Sequence, residues 1–168
     1  MQYIGYYYSP LGEITLAGKE DALTGLWFKG QKYFGAGLAD VCEKGESPLF
    51  KDVRQWLDTY FSGKNPGCIP NVCTEGWSPF RRRVWEVLCE IPYGQTVTYG
   101  EIADLLNKQS TGRNISVRAI GGAVGHNPIS IIIPCHRVVG KNGALTGYAG
   151  GLEKKNFLLQ LERNNSFC

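Results

Sequence analysis

Pro134-Cys135-His136-Arg137 sets a thiol, an imidazole and a guanidinium on three consecutive residues. An ionised cysteine is a soft nucleophile, and histidine is the side chain best suited to take its proton near neutral pH. The pKa of a free thiol is about 8.5, so only about 3% is thiolate at pH 7. A depression of about two units by His136 would raise that fraction about 25-fold. Such a gain is small beside what positioning supplies, so chemistry at Cys135 depends on how its substrate is held. The flanks read as rigid: Ile131-Ile132-Ile133 precedes the motif, Val138-Val139 follows it, and Asn127-Pro128 closes a helix-like segment upstream. An inert core cysteine is the competing reading of the same residues. A direct Cys135–His136 dyad is awkward on an extended segment, where neighbouring side chains point oppositely; a relay through water is less so.

The elements that must carry this motif follow from periodicity. Tyr3–Tyr8, Glu13–Ala17 and Leu23–Phe28 read as three strands joined by short turns, hence an antiparallel meander, and 35–46 reads as loop. Ser47-Pro48 starts a helix whose Phe50, Val53, Leu57 and Tyr60/Phe61 share a face, and Gly63 ends it. Residues 64–76, with two prolines, two glycines and no periodicity, read as a linker. The domains expected are therefore 1–76 and 77–168. Ser78-Pro79 starts a second helix with Arg81-Arg82-Arg83 in its first turn, against the helix dipole, which suits either solvent or an outside phosphate. Thr98-Tyr99-Gly100-Glu101 fits a capping box, and 107–114 is a polar break. Ser116 caps a third helix containing Arg118, Ala119, Gly121, Gly122 and Val124, and its adjacent glycines cost about 2 kcal/mol of helix propensity. Close approach of another backbone would offset that cost. The pair of short helices reads as a helix-turn-helix with little base-edge readout. Val138–Gly140 and Ala144–Thr146 around Lys141-Asn142-Gly143 predict a hairpin, the wing of a winged helix. A last helix, 152–162, is expected to turn Leu152, Leu158, Leu159 and Leu161 inward.

Composition narrows the class. The chain has 168 residues, 43% hydrophobic and 20% charged, which excludes disorder. Its net charge of +3 is unevenly spread: 1–76 holds seven Lys/Arg against nine Asp/Glu, and 77–168 holds eleven against six. The basic half is the half with Cys135, and that suits a polyanionic partner. The six cysteines, with no leading apolar run, imply reduced thiols and a cytoplasmic chain. Two histidines and no C-x-x-C pair argue against zinc, so no metal or cofactor is expected. No apolar run reaches the roughly 20 residues of a membrane span.

Four collinear motifs resemble one family, the O6-alkylguanine-DNA alkyltransferases. They are Pro92-Tyr93-Gly94 with Thr98-Tyr99-Gly100-Glu101-Ile102-Ala103; Arg118-Ala119-Ile120-Gly121-Gly122-Ala123 with Asn127-Pro128; Ile133-Pro134-Cys135-His136-Arg137-Val138; and Tyr148-Ala149-Gly150-Gly151. They span about 78–162. The resemblance implies a ribonuclease-H-like sheet and helix followed by a winged helix-turn-helix domain, an α+β chain. It implies irreversible, single-turnover transfer of an alkyl group from O6-alkylguanine, or O4-alkylthymine, to Cys135 in flipped-out DNA, by a monomer bound in the minor groove. His136 would be the base acting through water, and Glu162 would orient it. Tyr99 would assist base rotation and protonate the leaving guanine. Arg118 would fill the gap in the duplex, with Ala119, Gly121 and Gly122 against the DNA. Asn127 would be the hinge, and Val124, Val138, Tyr148 and Ala149 would line the base pocket. His126 departs from the pattern, standing where the family has a small residue, and Val124 is shorter than the methionine of some members. Two rivals remain: a non-enzymatic winged-helix protein that recognises DNA damage or regulates transcription, and a Cys/His hydrolase.

Overall fold

The computed structural model describes residues 1–112 and 114–166; Arg113, Phe167 and Cys168 lie outside it. Strands β1 (Gln2–Ser9), β2 (Gly12–Lys19) and β3 (Ala22–Phe28) form the expected antiparallel meander. A fourth strand, β4 (Cys42–Lys44), pairs parallel with β1 and gives the order β3-β2-β1-β4. It corrects the reading of 35–46 as loop. The edge of β1 needs a partner. Gln2 supplies the clamp, its Oε1 accepting from the Ala39 N–H at 2.6 Å, so three residues pair despite weak strand character.

Helix α1 (Pro48–Phe61) starts as its sequence demands, the Ser47 hydroxyl accepting from the Phe50 N–H with Pro48 in the first turn. Its Phe50, Val53, Leu57 and Tyr60 are buried against the sheet. The approach is close because Gly5 and Gly18 face it. A Cβ at Gly5 would stand 2.8 Å from the Phe50 ring, and one at Gly18 2.7 Å from Leu49.

The second half is helical: α2 (Pro79–Cys89), α3 (Tyr99–Gln109), α4 (Val117–Gly125) and α5 (Leu152–Asn165). The capping box of α3 forms in full, Thr98 and Glu101 each accepting from the other's backbone N–H. Helix α3 continues two residues past Asn107, and the amide of Asn107 pairs both ways with Ile115, at 2.6 and 3.0 Å. That clamp fixes the turn into α4, which packs on α2 and α3 as a helix-turn-helix. The Trp85 indole N–H, donating to the Ala123 carbonyl at 3.1 Å, locks α4 to α2.

Two expectations fail here. The wing is not a hairpin. β6 (Val138–Val139) pairs in parallel with β5 (Val97–Thr98). Lys141–Gly143 is a tight 3-10 turn closed by Gly140 N–H to Ala144 O at 2.7 Å. Val138-Val139 pairs with the strand before α3, and 144–146 adds no strand beside it. In α5, Leu152 is 48% exposed and Leu161 only partly buried, while Lys155 and Glu162 are buried beside Leu158 and Leu159. Burial of two charges means the inner face of α5 is built for polar partners as well as packing.

The two halves share a continuous apolar core. Leu26 of β3 donates to the Pro128 carbonyl at 2.9 Å and accepts from Ser130 N–H at 3.0 Å, so the sheet edge grips the segment leading to Cys135. Among the described residues no helix is long and apolar enough to cross a membrane.

Candidate active site

The segment after α4 is fixed by one side chain. Asn127 accepts from the Ile129 N–H at 3.0 Å and donates to the carbonyls of Ile129 (3.2 Å) and Ile133 (2.8 Å). Its amide thereby replaces the backbone partners that an irregular buried loop lacks. Ile131 sits at φ +70°, a left-handed conformation that a β-branched residue adopts only under constraint. Pro134 then opens a single 3-10 turn, Cys135–Arg137. The thiol and imidazole are therefore not on an extended strand, and the alternation argument against their cooperation lapses.

Behind the turn lies a buried polar cluster centred on Glu162. Its carboxylate accepts from His136 Nε2 at 2.7 Å, from the Tyr60 hydroxyl at 2.8 Å, from Arg137 Nε at 2.9 Å and Nη2 at 2.9 Å, and from the Gly94 N–H at 3.2 Å. Arg137 also donates from Nη1 to the Ile91 carbonyl at 2.7 Å. Burial alone would raise the Glu162 pKa. The hydrogen bond of His136 and the charge it carries once protonated in acid, then the hydrogen bonds and charge of Arg137, hold it at about 2. Glu162 is thus an anchored anion and not a solvated helix-end charge.

That anion sets the state of His136. An acceptor at Nε2 keeps the proton there and leaves Nδ1 with its lone pair. Nδ1 is buried and has no hydrogen-bond partner among the described residues. Burial, more than any other influence, lowers the His136 pKa, against the pull of Glu162. The imidazole therefore rests neutral and able to accept. Cys135, 5% exposed, goes the other way. Burial raises its pKa, and the Asn127 amide and the Lys155 charge only partly offset this. The thiol is not depressed: the cysteine rests protonated, because desolvation outweighs its polar neighbours.

Cys135 opens onto a cavity of about 350 Å³. Val124, Tyr148 and Ala149 line it, with Tyr99, Gly121, Gly122, Lys32, Tyr33, Gly125, His126 and Gly147. Val138 is buried in β6 and does not reach the lining. Arg118 and Ala119 stand exposed on the first turn of α4, outside the cavity. A Cβ at Gly121 or Gly122 would meet nothing within 4 Å. Among the described residues no other segment approaches the two glycines, so their small face is left open.

Tyr99 donates to the Thr146 carbonyl at 3.2 Å. Burial raises its pKa, so it is better suited to donate a hydrogen bond than to give up its proton. Lys155 was not singled out in the sequence. It donates to the carbonyls of Thr146 (2.8 Å) and Gly147 (3.1 Å), holding the loop that forms one wall, and burial lowers its pKa to about 8. Tyr60 and Arg137 were also unassigned. A tyrosine at helical spacing is indistinguishable from core, and only its position facing Glu162 reveals it. No group of three or more potential metal ligands occurs among the described residues.

Comparison with known proteins gives consistent matches. Residues 2–68 match the family profile described as 6-O-methylguanine DNA methyltransferase, ribonuclease-like domain, and 79–164 match the DNA binding domain of the same name. A methylated-DNA–protein-cysteine methyltransferase of Methanosarcina barkeri is 48% identical over 158 residues, 94% of each chain. One from Haemophilus influenzae is 43% identical over 96% of this chain and 86% of its own. The Mycobacterium tuberculosis OGT in complex with DNA superposes with a TM-score of 0.84 at 38% identity, covering 97% of this chain and 94% of that one. With both halves matched in order and relatives similar along nearly their whole length, the chain belongs to the 6-O-methylguanine DNA methyltransferase family.

Proposed function

We propose that the protein repairs alkylated DNA by moving the alkyl group of O6-alkylguanine onto its own Cys135. The observation that carries this is a buried thiol opening on a base-sized cavity, with a neutral imidazole held behind it in the tautomer of a proton acceptor. The relatives' name, methylated-DNA–protein-cysteine methyltransferase, describes the same reaction. The thiol proton passes to His136 Nδ1 through a water molecule, and Glu162 compensates the imidazolium. The thiolate attacks the alkyl carbon, forming a C–S bond as the C–O6 bond breaks. The electron pair stays on guanine, whose charge the Tyr99 hydroxyl stabilises by hydrogen bonding. A protonated resting thiol suits this scheme, because the nucleophile is generated only when a substrate is in place. The thioether cannot be hydrolysed by any group nearby, so each molecule reacts once.

An alkylated base inside a stacked duplex cannot reach a buried thiol, so the nucleotide is flipped, at a cost of a few kcal/mol. Arg118, exposed at the start of α4, fills the vacated position. The open face of Gly121 and Gly122 lies against the minor-groove backbone. The reading carries a monomer and a cytoplasmic location, nucleoid-associated if the source is prokaryotic, with O4-alkylthymine as a further candidate substrate.

The test is incubation with a duplex carrying O6-methylguanine, followed by intact mass and peptide mapping. One added methyl on the Cys135 peptide, none in Cys135→Ser, and a burst equal to the protein concentration are expected. Multiple turnovers, or a methyl on another cysteine, would overturn the reading.

A further inference from the structure

One wall of the cavity comes from the first half of the chain. Lys32 and Tyr33 lie in the turn-rich segment after β3, yet they share the cavity with Cys135. The Lys32 N–H donates to the Ala149 carbonyl at 3.0 Å, which ties that segment to the opposite wall. The Tyr33 ring stacks on His126 with centroids 4.1 Å apart and planes 24° apart. His126 is fixed in turn by Nδ1, which donates to the Gly122 carbonyl at 2.7 Å, capping the end of α4. The Lys32 ammonium lies 5.2 Å from the Tyr33 ring centre.

Tyr33 packs on His126 and not into the core. It is 42% exposed, so the core does not hold it. Its φ is +59°, in the left-handed region that bulky residues avoid. A strained, half-exposed aromatic that closes a cavity is kept for what it does to the cavity.

We infer that the Tyr33–His126 stack is the outer wall of the lesion pocket and limits the size of the O6-alkyl group that Cys135 can accept. The inference rests on the alkyl-transfer reading above. Once guanine enters a cavity of this volume, the remaining space belongs to the substituent. A ring at the mouth leaves a methyl untouched and obstructs a group as large as benzyl. Hydrophobic walls discriminate between substituents by about 10- to 200-fold.

The test compares single-turnover rates on two duplexes of one sequence, bearing O6-methylguanine or O6-benzylguanine. Tyr33→Ala should raise the benzyl-to-methyl rate ratio about 10-fold, while Tyr33→Phe, which keeps the stack, should leave it at the wild-type value. His126→Ala should raise the ratio as well, and combining it with Tyr33→Ala should add little. An unchanged ratio in Tyr33→Ala that still transfers methyl overturns the inference alone, as does an equal loss on both substrates. Failure of wild-type protein to transfer methyl overturns the reading on which it rests.

Discussion

Glu162 accepts from four residues on three separate parts of the chain while 1% exposed, so its charge is committed to the folded state. Its folded pKa, about 2, lies below the ordinary 4.5. A depressed carboxylate contributes stability that is complete above its unfolded pKa and is lost as pH falls through the folded one. The window is therefore about pH 4.5 down to about pH 2, and the contribution is on the order of 3 kcal/mol. Glu162→Gln removes the anion and leaves Arg137 buried without its counter-charge, at about 3–5 kcal/mol. Urea unfolding at pH 6, 4 and 3 should show the variant less stable at pH 6 and with a shallower decline below pH 4.5. Parallel declines in the two proteins would mean that the ion pair does not set the acid limit. The same variant should lower the rate of methyl transfer more than tenfold, since the imidazolium formed when His136 takes the thiol proton loses the anion that compensates it.

Helix α4 carries its cost in plain view. Gly121 and Gly122 weaken it by about 1 kcal/mol each relative to alanine, and none of the described residues outside the helix occupies the space beside them. An internal backbone contact would have explained them; its absence leaves an external one. Replacing both by alanine should therefore stabilise the free protein by about 2 kcal/mol, raising Tm by roughly 4–8 °C. Repair of a methylated duplex should fall by tenfold or more, while transfer from the free base O6-methylguanine changes less. A stabilised variant with full duplex activity would deny the glycines their role at the DNA. The helix and its Ser116 cap were legible in the sequence because capping and periodicity are local. So were the three-strand meander and the Ser47, Ser78 and Thr98 caps. The wing was misread because Val138-Val139 has strand propensity whichever partner it takes, and the choice of β5 is a long-range outcome. Cys135, Glu162 and Tyr148 were legible through motifs. Tyr60 and Lys155 were not, because a buried hydroxyl or ammonium shows its role only by what folding sets opposite it.

The two halves meet where the chemistry is. Leu26 pairs with the segment before Cys135, Tyr60 donates to Glu162, Lys32 is tied to Ala149, and Phe28 meets Tyr148 edge-on at 6.4 Å. The first half thus supplies backbone, a proton donor and a wall to a site whose nucleophile lies in the second. Charge divides the labour differently, with 77–168 holding the excess of Lys/Arg that a polyanion attracts. A fragment of 77–168 should therefore retain salt-sensitive DNA affinity only as far as it folds, and folding is what it lacks. It would expose the apolar surface that meets Leu26 and Phe28, and it would leave Glu162 without the Tyr60 hydroxyl. We expect the fragment to show no cooperative thermal transition and no methyl transfer to Cys135. Full-length Tyr60→Phe should stay folded, about 1–3 kcal/mol less stable, and react more slowly. These two results separate loss of the scaffold from loss of one hydrogen bond. A fragment that melts cooperatively and reacts at the full-length rate would show instead that the second half preorganises Cys135 by itself, leaving Leu26 and Tyr60 as bystanders.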